Sequence, residues 1–185
     1  EAADPPAVTV DGQPLGGNTW AEAVLLARTM SSFAGVAALG PEETLERLVN
    51  EELVLRAAPQ EEPADEQVEE QIAVLEAFWQ TSDDQIVAAL NAAGLQREDL
   101  VQAVGRVIMV QQAQAALQAD GVAFDNWLTN ERERAEIVYD QARIDVVLRS
   151  LDAATVAAEA SPAPAVAEAA SATEVAPTPV PTGPS

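Results

Sequence analysis

The tightest constraint on this chain is a rhythm. Between Trp20 and Ala135 the large apolar residues return every three or four positions, in runs broken by proline, glycine or an acidic pair. Val68, Ile72, Leu75 and Trp79 recur at intervals of four, three and four, and Leu45, Leu48, Val49 and Leu53 or Leu100, Val101, Val104, Val107 and Ile108 repeat the same spacing. On a helix of 3.6 residues per turn each run forms one apolar stripe, and a stripe is stable only when it is buried against another element. The pattern predicts an all-α fold, a bundle of about six helices.

The punctuation places the helix ends. A first helix is expected from Asn18 or Thr19 as N-cap, carrying Trp20, Ala23, Val24, Ala27 and Met30 and fading through Ser31 to Gly35. Pro41, with Glu42 and Glu43 behind it, suits the first turn of a second helix that runs to about Ala58, where Pro59 stops it. A third follows the linker Gln60 to Pro63. A fourth has Ser82 as N-cap and Gln85 three residues on, the capping-box spacing, and ends at Gly94. A long fifth helix from near Gln96 reaches about Ala119, Asp120 and Gly121 turn the chain, and a sixth carries Phe124, Trp127, Leu128 and Ala135.

Two stretches read differently. Ala7 to Val10 is β-prone and closed by the turn dipeptide Asp11-Gly12, but a lone strand needs a partner. Residues 143 to 148 alternate as a strand would, with Ile144, Val146 and Leu148 on one face, although Tyr139, Ala142 and Val146 also suit a helix; the alternation favours a strand within 136–148 that pairs with residues 7–10 in a small two-stranded unit. The domain is expected to span residues 7–152, after a disordered lead-in at 1–6. From residue 153 to 185 the composition falls to Ala, Pro, Val, Thr, Ser and Glu without an aromatic, which reads as a disordered tail or linker.

Charge and missing residue types narrow the function. Asp and Glu number 31 against 9 basic residues, a formal charge of −22, which repels phosphate backbones and anionic lipid and argues against nucleic acid or acidic membrane as direct partners. The chain has no His, no Cys and no Lys, so Ser-His, Ser-Lys and thiolate nucleophiles are excluded, as are zinc sites built on cysteine or histidine. No P-loop, GxGxxG, HExxH or EF-hand pattern occurs, and no cofactor is expected. Glu66, Glu69 and Glu70 share a helical face, as do Glu42, Glu43 and Glu46, but such faces are more simply solvated than metal-bound, since no turn glycine or neutral ligand accompanies them. An enzyme is not expected.

What remains is binding. Large apolar side chains in an alanine-rich chain can line a groove for extended or helical polypeptide, although core is the more ordinary place for any one of them. The candidates are Met30 and Phe33 at the ragged end of the first helix, Leu75, Phe78 and Trp79 on the third, and Met109 on the fifth.

The order of segments resembles the N-terminal domain of the SurA-type periplasmic chaperones and the related PrsA and PpiC-type foldases. VTVDGQPL resembles that family's opening strand and turn, and ETLERLVNEELVLRAA its second-helix signature. VEEQIAVLE, then DDQIVAALNAAGLQREDLVQAVGRVIMVQQA, follow in the same order, and FDNWLTNERERAEIVYD resembles the closing segment, so the likeness covers residues 7–148. It implies an ATP-independent domain outside the cytoplasm that holds unfolded or extended polypeptide. Only five residues separate Gln118 from Phe124, where the foldases often insert a parvulin isomerase, so isomerase activity is not expected. The acidity departs from a general holdase and suggests a dedicated partner instead, with the domain as an assembly subunit of an envelope complex or the binding module of a larger protein, such as one carrying a thioredoxin-like domain. The start at Glu1 rather than Met is consistent with a removed signal peptide or an upstream membrane anchor.

Overall fold

The computed structural model describes residues 4–58 and 61–160. The chain runs β1 (Pro6–Val10), β2 (Gln13–Gly16), α1 (Gly17–Ala34), α2 (Pro41–Ala57), α3 (Asp65–Trp79), α4 (Asp83–Ala92), α5 (Arg97–Ala119), α6 (Phe124–Arg134), β3 (Ile137–Tyr139) and α7 (Gln141–Ala160). The fold is mostly helical with a small antiparallel sheet, as the stripes predicted.

The sheet has three strands rather than two, in the order β2-β1-β3. The partner missing from the sequence reading is β2, which returns directly through the turn Asp11-Gly12. Both turn residues have positive φ, 47° and 80°, the two-residue geometry that matches strand twist and that glycine adopts without penalty. On the other side Thr9 pairs with Val138 and Val10 with Ile137, and Asp11 N–H extends the ladder by donating to Glu136 O at 2.8 Å.

Residues 143–148 are helical, contrary to the alternation. The Asp140 carboxylate accepts from Arg143 N–H at 3.0 Å and so caps a new helix directly after β3. Ile144, Val147 and Leu151 then form a buried stripe at helical spacing, while Val146, which a strand would have turned inward with Ile144, is exposed. The pairing with residues 7–10 does lie within 136–148, but at Ile137–Tyr139.

The domain limits shift as well. Asp4 to Pro6 are ordered, with Pro6 already in β1, and α7 continues past residue 152 to Ala160. Of the lead-in expected at 1–6 and the tail expected at 153–185, residues 1–3 and 161–185 lie outside the described residues.

Three buried clusters hold the elements. The first joins β1, the first half of α1, α2 and α7 around Trp20, Val24, Val49 and Val147; Trp20 is fully buried and its indole N–H donates to Pro41 O at 2.8 Å. The second joins α3, α4 and α5 around Ile72, Ile86, Leu90 and Ile108, against which the C-terminal half of α1 packs. The third links the ends of α2 and α5 to α6 through Val54, Ala113 and Leu117. Helix α1 therefore crosses from the first core to the second.

Arginine ties the bundle laterally. Arg97 donates to both carboxylate oxygens of Glu69 on α3 and to Asp83 on α4, and Arg106 Nε donates to Glu51 on α2 at 2.8 Å. Arg132 on α6 reaches Asn50 and Glu46 of α2.

Candidate functional site

Four of the six sequence candidates meet at one place. Met30 and Phe33 at the end of α1 and Leu75 and Trp79 at the end of α3 pack, half-buried, against the second core. The Phe33 and Trp79 rings stack with centroids 6.1 Å apart and planes 21° from parallel. These four are therefore the outer wall of the core rather than an open groove, because each stripe ends where α1 and α3 converge. The other two do not join them. Met109 is half-buried on α5, and Phe78, one residue before Trp79, points away from the core and is 77% exposed. Of the remaining large aromatics, Trp127 packs on Phe124 at 5.8 Å between ring centroids, in the third cluster.

Phe78 continues a second face of α3. Gln67, Glu70, Gln71 and Val74 lie at helical spacing on that face, and Phe78 follows one turn beyond Val74, which is itself 54% exposed. Across from them α5 presents Ile108, Gln111, Gln112 and Ala115, again at intervals of three and one. Together these eight residues line an open groove of about 460 Å³ between α3 and α5. Val107, exposed, lies one turn before Gln111 on α5.

The groove is lined by apolar and amide side chains. Val74, Ile108 and Ala115 supply the apolar surface, of which Ile108 is buried, and no hydrogen bond joins the side chains of Gln67, Gln71, Gln111 or Gln112 to another described residue. Each primary amide carries two donors and an acceptor, the complement of a peptide backbone. Nucleophile, metal and acid-base geometry are not what this lining offers, and among the described residues no three acidic side chains converge as a cation site. The acidic clusters of the sequence are engaged elsewhere in part: Glu69 binds Arg97, Glu43 accepts from Gly40 N–H at 2.9 Å, and Glu46 accepts from Arg132 and from the Tyr139 hydroxyl.

Arg97 fixes how α3 sits against its neighbours. Its hydrogen bonds hold the Glu69 carboxyl below the usual glutamate range, and Glu69 first, then Asp83, push the guanidinium further up. The amides do not stand out in the sequence because a glutamine on an exposed helix face is ordinarily just solvated. The available signal was uncharged glutamine at helical spacing, at 67, 71, 111 and 112, in a chain whose other polar faces are densely acidic.

A second hollow of similar volume lies at the sheet, lined by Pro6, Val8, Thr9, Val138, Tyr139, Asp140 and Gln141. Strand β3 pairs on one side only among the described residues, and Val138 is 53% exposed. Burial, followed by the hydrogen bond to Glu46, pushes the Tyr139 hydroxyl above its ordinary pKa, so it stays a neutral donor.

No family model matches this sequence, and comparison with curated proteins and with solved structures likewise found no match.

Proposed function

We propose that this protein is a non-catalytic, ATP-independent module that binds extended polypeptide in the groove between α3 and α5, in the manner of the SurA-type domains its segment order resembles. The observation that carries the reading is the groove's lining: four amides without a hydrogen-bond partner among the described residues beside apolar side chains, with Phe78 exposed one turn beyond Val74. Amides that pair with main-chain groups do not discriminate among sequences, and an exposed Phe with a neighbouring Val anchors whatever apolar side chain passes. An extracytoplasmic location follows from the resemblance. No helix among the described residues is long and apolar enough to cross a membrane.

Titration of labelled, unrelated unfolded polypeptides with the full chain, followed by fluorescence anisotropy, tests this reading. Saturable micromolar binding that Phe78→Ser and Val74→Ser each weaken is the expected result. Absence of binding, or binding indifferent to both substitutions, overturns it.

A second reading, a dedicated subunit that docks one fixed partner, is favoured by the one-sided pairing of β3 and the hollow beside Val138, where a partner strand can add to the sheet. Capture of a single stoichiometric protein, lost when Tyr139→Pro removes an edge-facing N–H and leaves the Thr9–Val138 pairing in place, supports it over the first.

A further inference from the structure

The groove is electrically one-sided. Helix α3 carries Asp65, Glu66, Glu69, Glu70 and Glu76 and no basic residue. Of these only Glu69 has a described ion-pair partner, Arg97. Glu70 lines the groove itself and pairs with no described cation. The two arginines of α5 are both committed, Arg97 to Glu69 and Asp83 and Arg106 to Glu51 and Glu52, so neither is free to offset Glu70.

The rest of the chain does nothing to relieve this. Six of the nine arginines are held in ion pairs, at 47, 56, 97, 106, 132 and 143. The other three, Arg28, Arg134 and Arg149, belong to α1, α6 and α7, none of which lines the groove. With a formal charge of −22 the whole surface reinforces the local field. A carboxylate carried into the groove would meet Glu70 with no described cation to balance it, whereas a guanidinium or ammonium would find an acceptor beside amide acceptors and apolar side chains that take the methylene stem.

We infer that the groove selects extended polypeptide segments that carry Arg or Lys among small apolar residues, with Glu70 as the specificity-determining side chain. This rests on the reading of the groove as a polypeptide site. Glu70 supplies discrimination, while Val74 and Phe78 supply the apolar contact common to all segments. The preference is a charge effect at an open site, so it is modest and sensitive to salt.

The experiment uses the full chain and three synthetic unstructured peptides of equal length, identical except for a central Arg, Gln or Glu, with binding read by fluorescence anisotropy at low and at moderate salt. The Arg peptide is expected to bind about two- to five-fold more tightly than the Gln peptide at low salt, the size of one exposed ion pair, and the Glu peptide more weakly than either. Glu70→Gln is expected to abolish the difference between the Arg and Gln peptides. Glu133→Gln, which makes the same change in net charge on an exposed position of α6, is expected to preserve it. Equal affinity for the Arg and Gln peptides overturns the inference and leaves the groove a polypeptide site. Loss of the preference in both variants also overturns it, since net charge rather than Glu70 would then be the cause. Failure of all three peptides to bind overturns the underlying reading together with the inference.

Discussion

The carboxylate of Asp4 caps the first turn of α1 from fourteen residues away: Asn18 N–H donates to both of its oxygens at 3.1 Å, and Thr19 N–H donates to Oδ2 at 3.3 Å. The sequence pointed to Asn18 or Thr19 as the cap, but the helix starts at Gly17, and the Asn18 side chain instead accepts from Arg143 Nη2 at 2.9 Å. A negative charge on a helix N-terminus satisfies orphan amides and complements the macrodipole. Here it also ties the segment before β1 to α1.

Asp4→Ala is expected to destabilise the fold by about 1 kcal/mol, the usual cost of losing an N-cap, as measured by urea unfolding. Gly16→Ala tests the same contact from the other side, since a Cβ at position 16 would collide with the Asp4 carboxylate. The double variant should then cost less than the sum of the two single ones; strict additivity would mean that the cap is not what either substitution removes.

Trp20→Phe keeps most of the buried ring but leaves Pro41 O without its donor, so a loss of about 1–3 kcal/mol is expected, against about 3–5 kcal/mol for Trp20→Ala. Thermal unfolding decides it. Equal stability of the Phe variant and the parent would remove the hydrogen bond from the account of how α2 is positioned.

Asp11 gives the fold an acid-sensitive point. Its carboxyl lies below the ordinary aspartate range because Glu136 N–H donates to it and Arg56 donates and attracts. A folded pKa below the unfolded one contributes stability that is complete above the unfolded value, about 3.9, and is lost as pH falls through the folded value. Glu69, lowered by Arg97, acts in the same direction, whereas Glu22, raised first by burial and then by Asp99 and Asp4, favours the folded state as it takes up its proton. Asp11→Asn should therefore be less stable than the parent near neutral pH, with the gap narrowing below about pH 4. A gap that stays constant through acid unfolding series would contradict the assignment.

Adjacent aromatics should behave oppositely. Phe33→Ala removes the stacking partner of Trp79 and part of the second core's wall, and should cost about 1–2 kcal/mol with a red shift of tryptophan emission. Phe78→Ser, at an exposed site, should stay within about 0.5 kcal/mol of the parent. A large loss from Phe78→Ser would show that it packs, and would withdraw it from the groove.

Much of the helical frame was legible because its signals are local. Ser82 with Gln85 marks the start of α4, and the structure has both hydrogen bonds of that box, at 3.4 Å and 3.1 Å. Pro41 opens α2, and the turn at Asp120 and Gly121 separates α5 from α6. The six site candidates were legible only as large apolar groups: their type does not say which face of a helix meets a core, so Met30, Phe33, Leu75 and Trp79 became wall while Phe78 remained free.

The sequence by itself determined the helical class, six of the seven helical stripes among the described residues and most of the places where helices start and stop, since propensity, capping and periodicity act within a few residues. Only the tertiary structure decided the rest. Whether residues 143–148 form strand or helix depended on where β1 finds its partners: β2 takes one side and Ile137–Tyr139 the other, so residues 143–148 are left to bury Ile144 and Val147 as a helical stripe in the first core. The cap of α1 came from Asp4, and the groove arose where α3 and α5 bring two glutamine-bearing faces together, forty residues apart in sequence. Contacts across such separations depend on how stripes pair, and the period of one stripe carries no information about its partner.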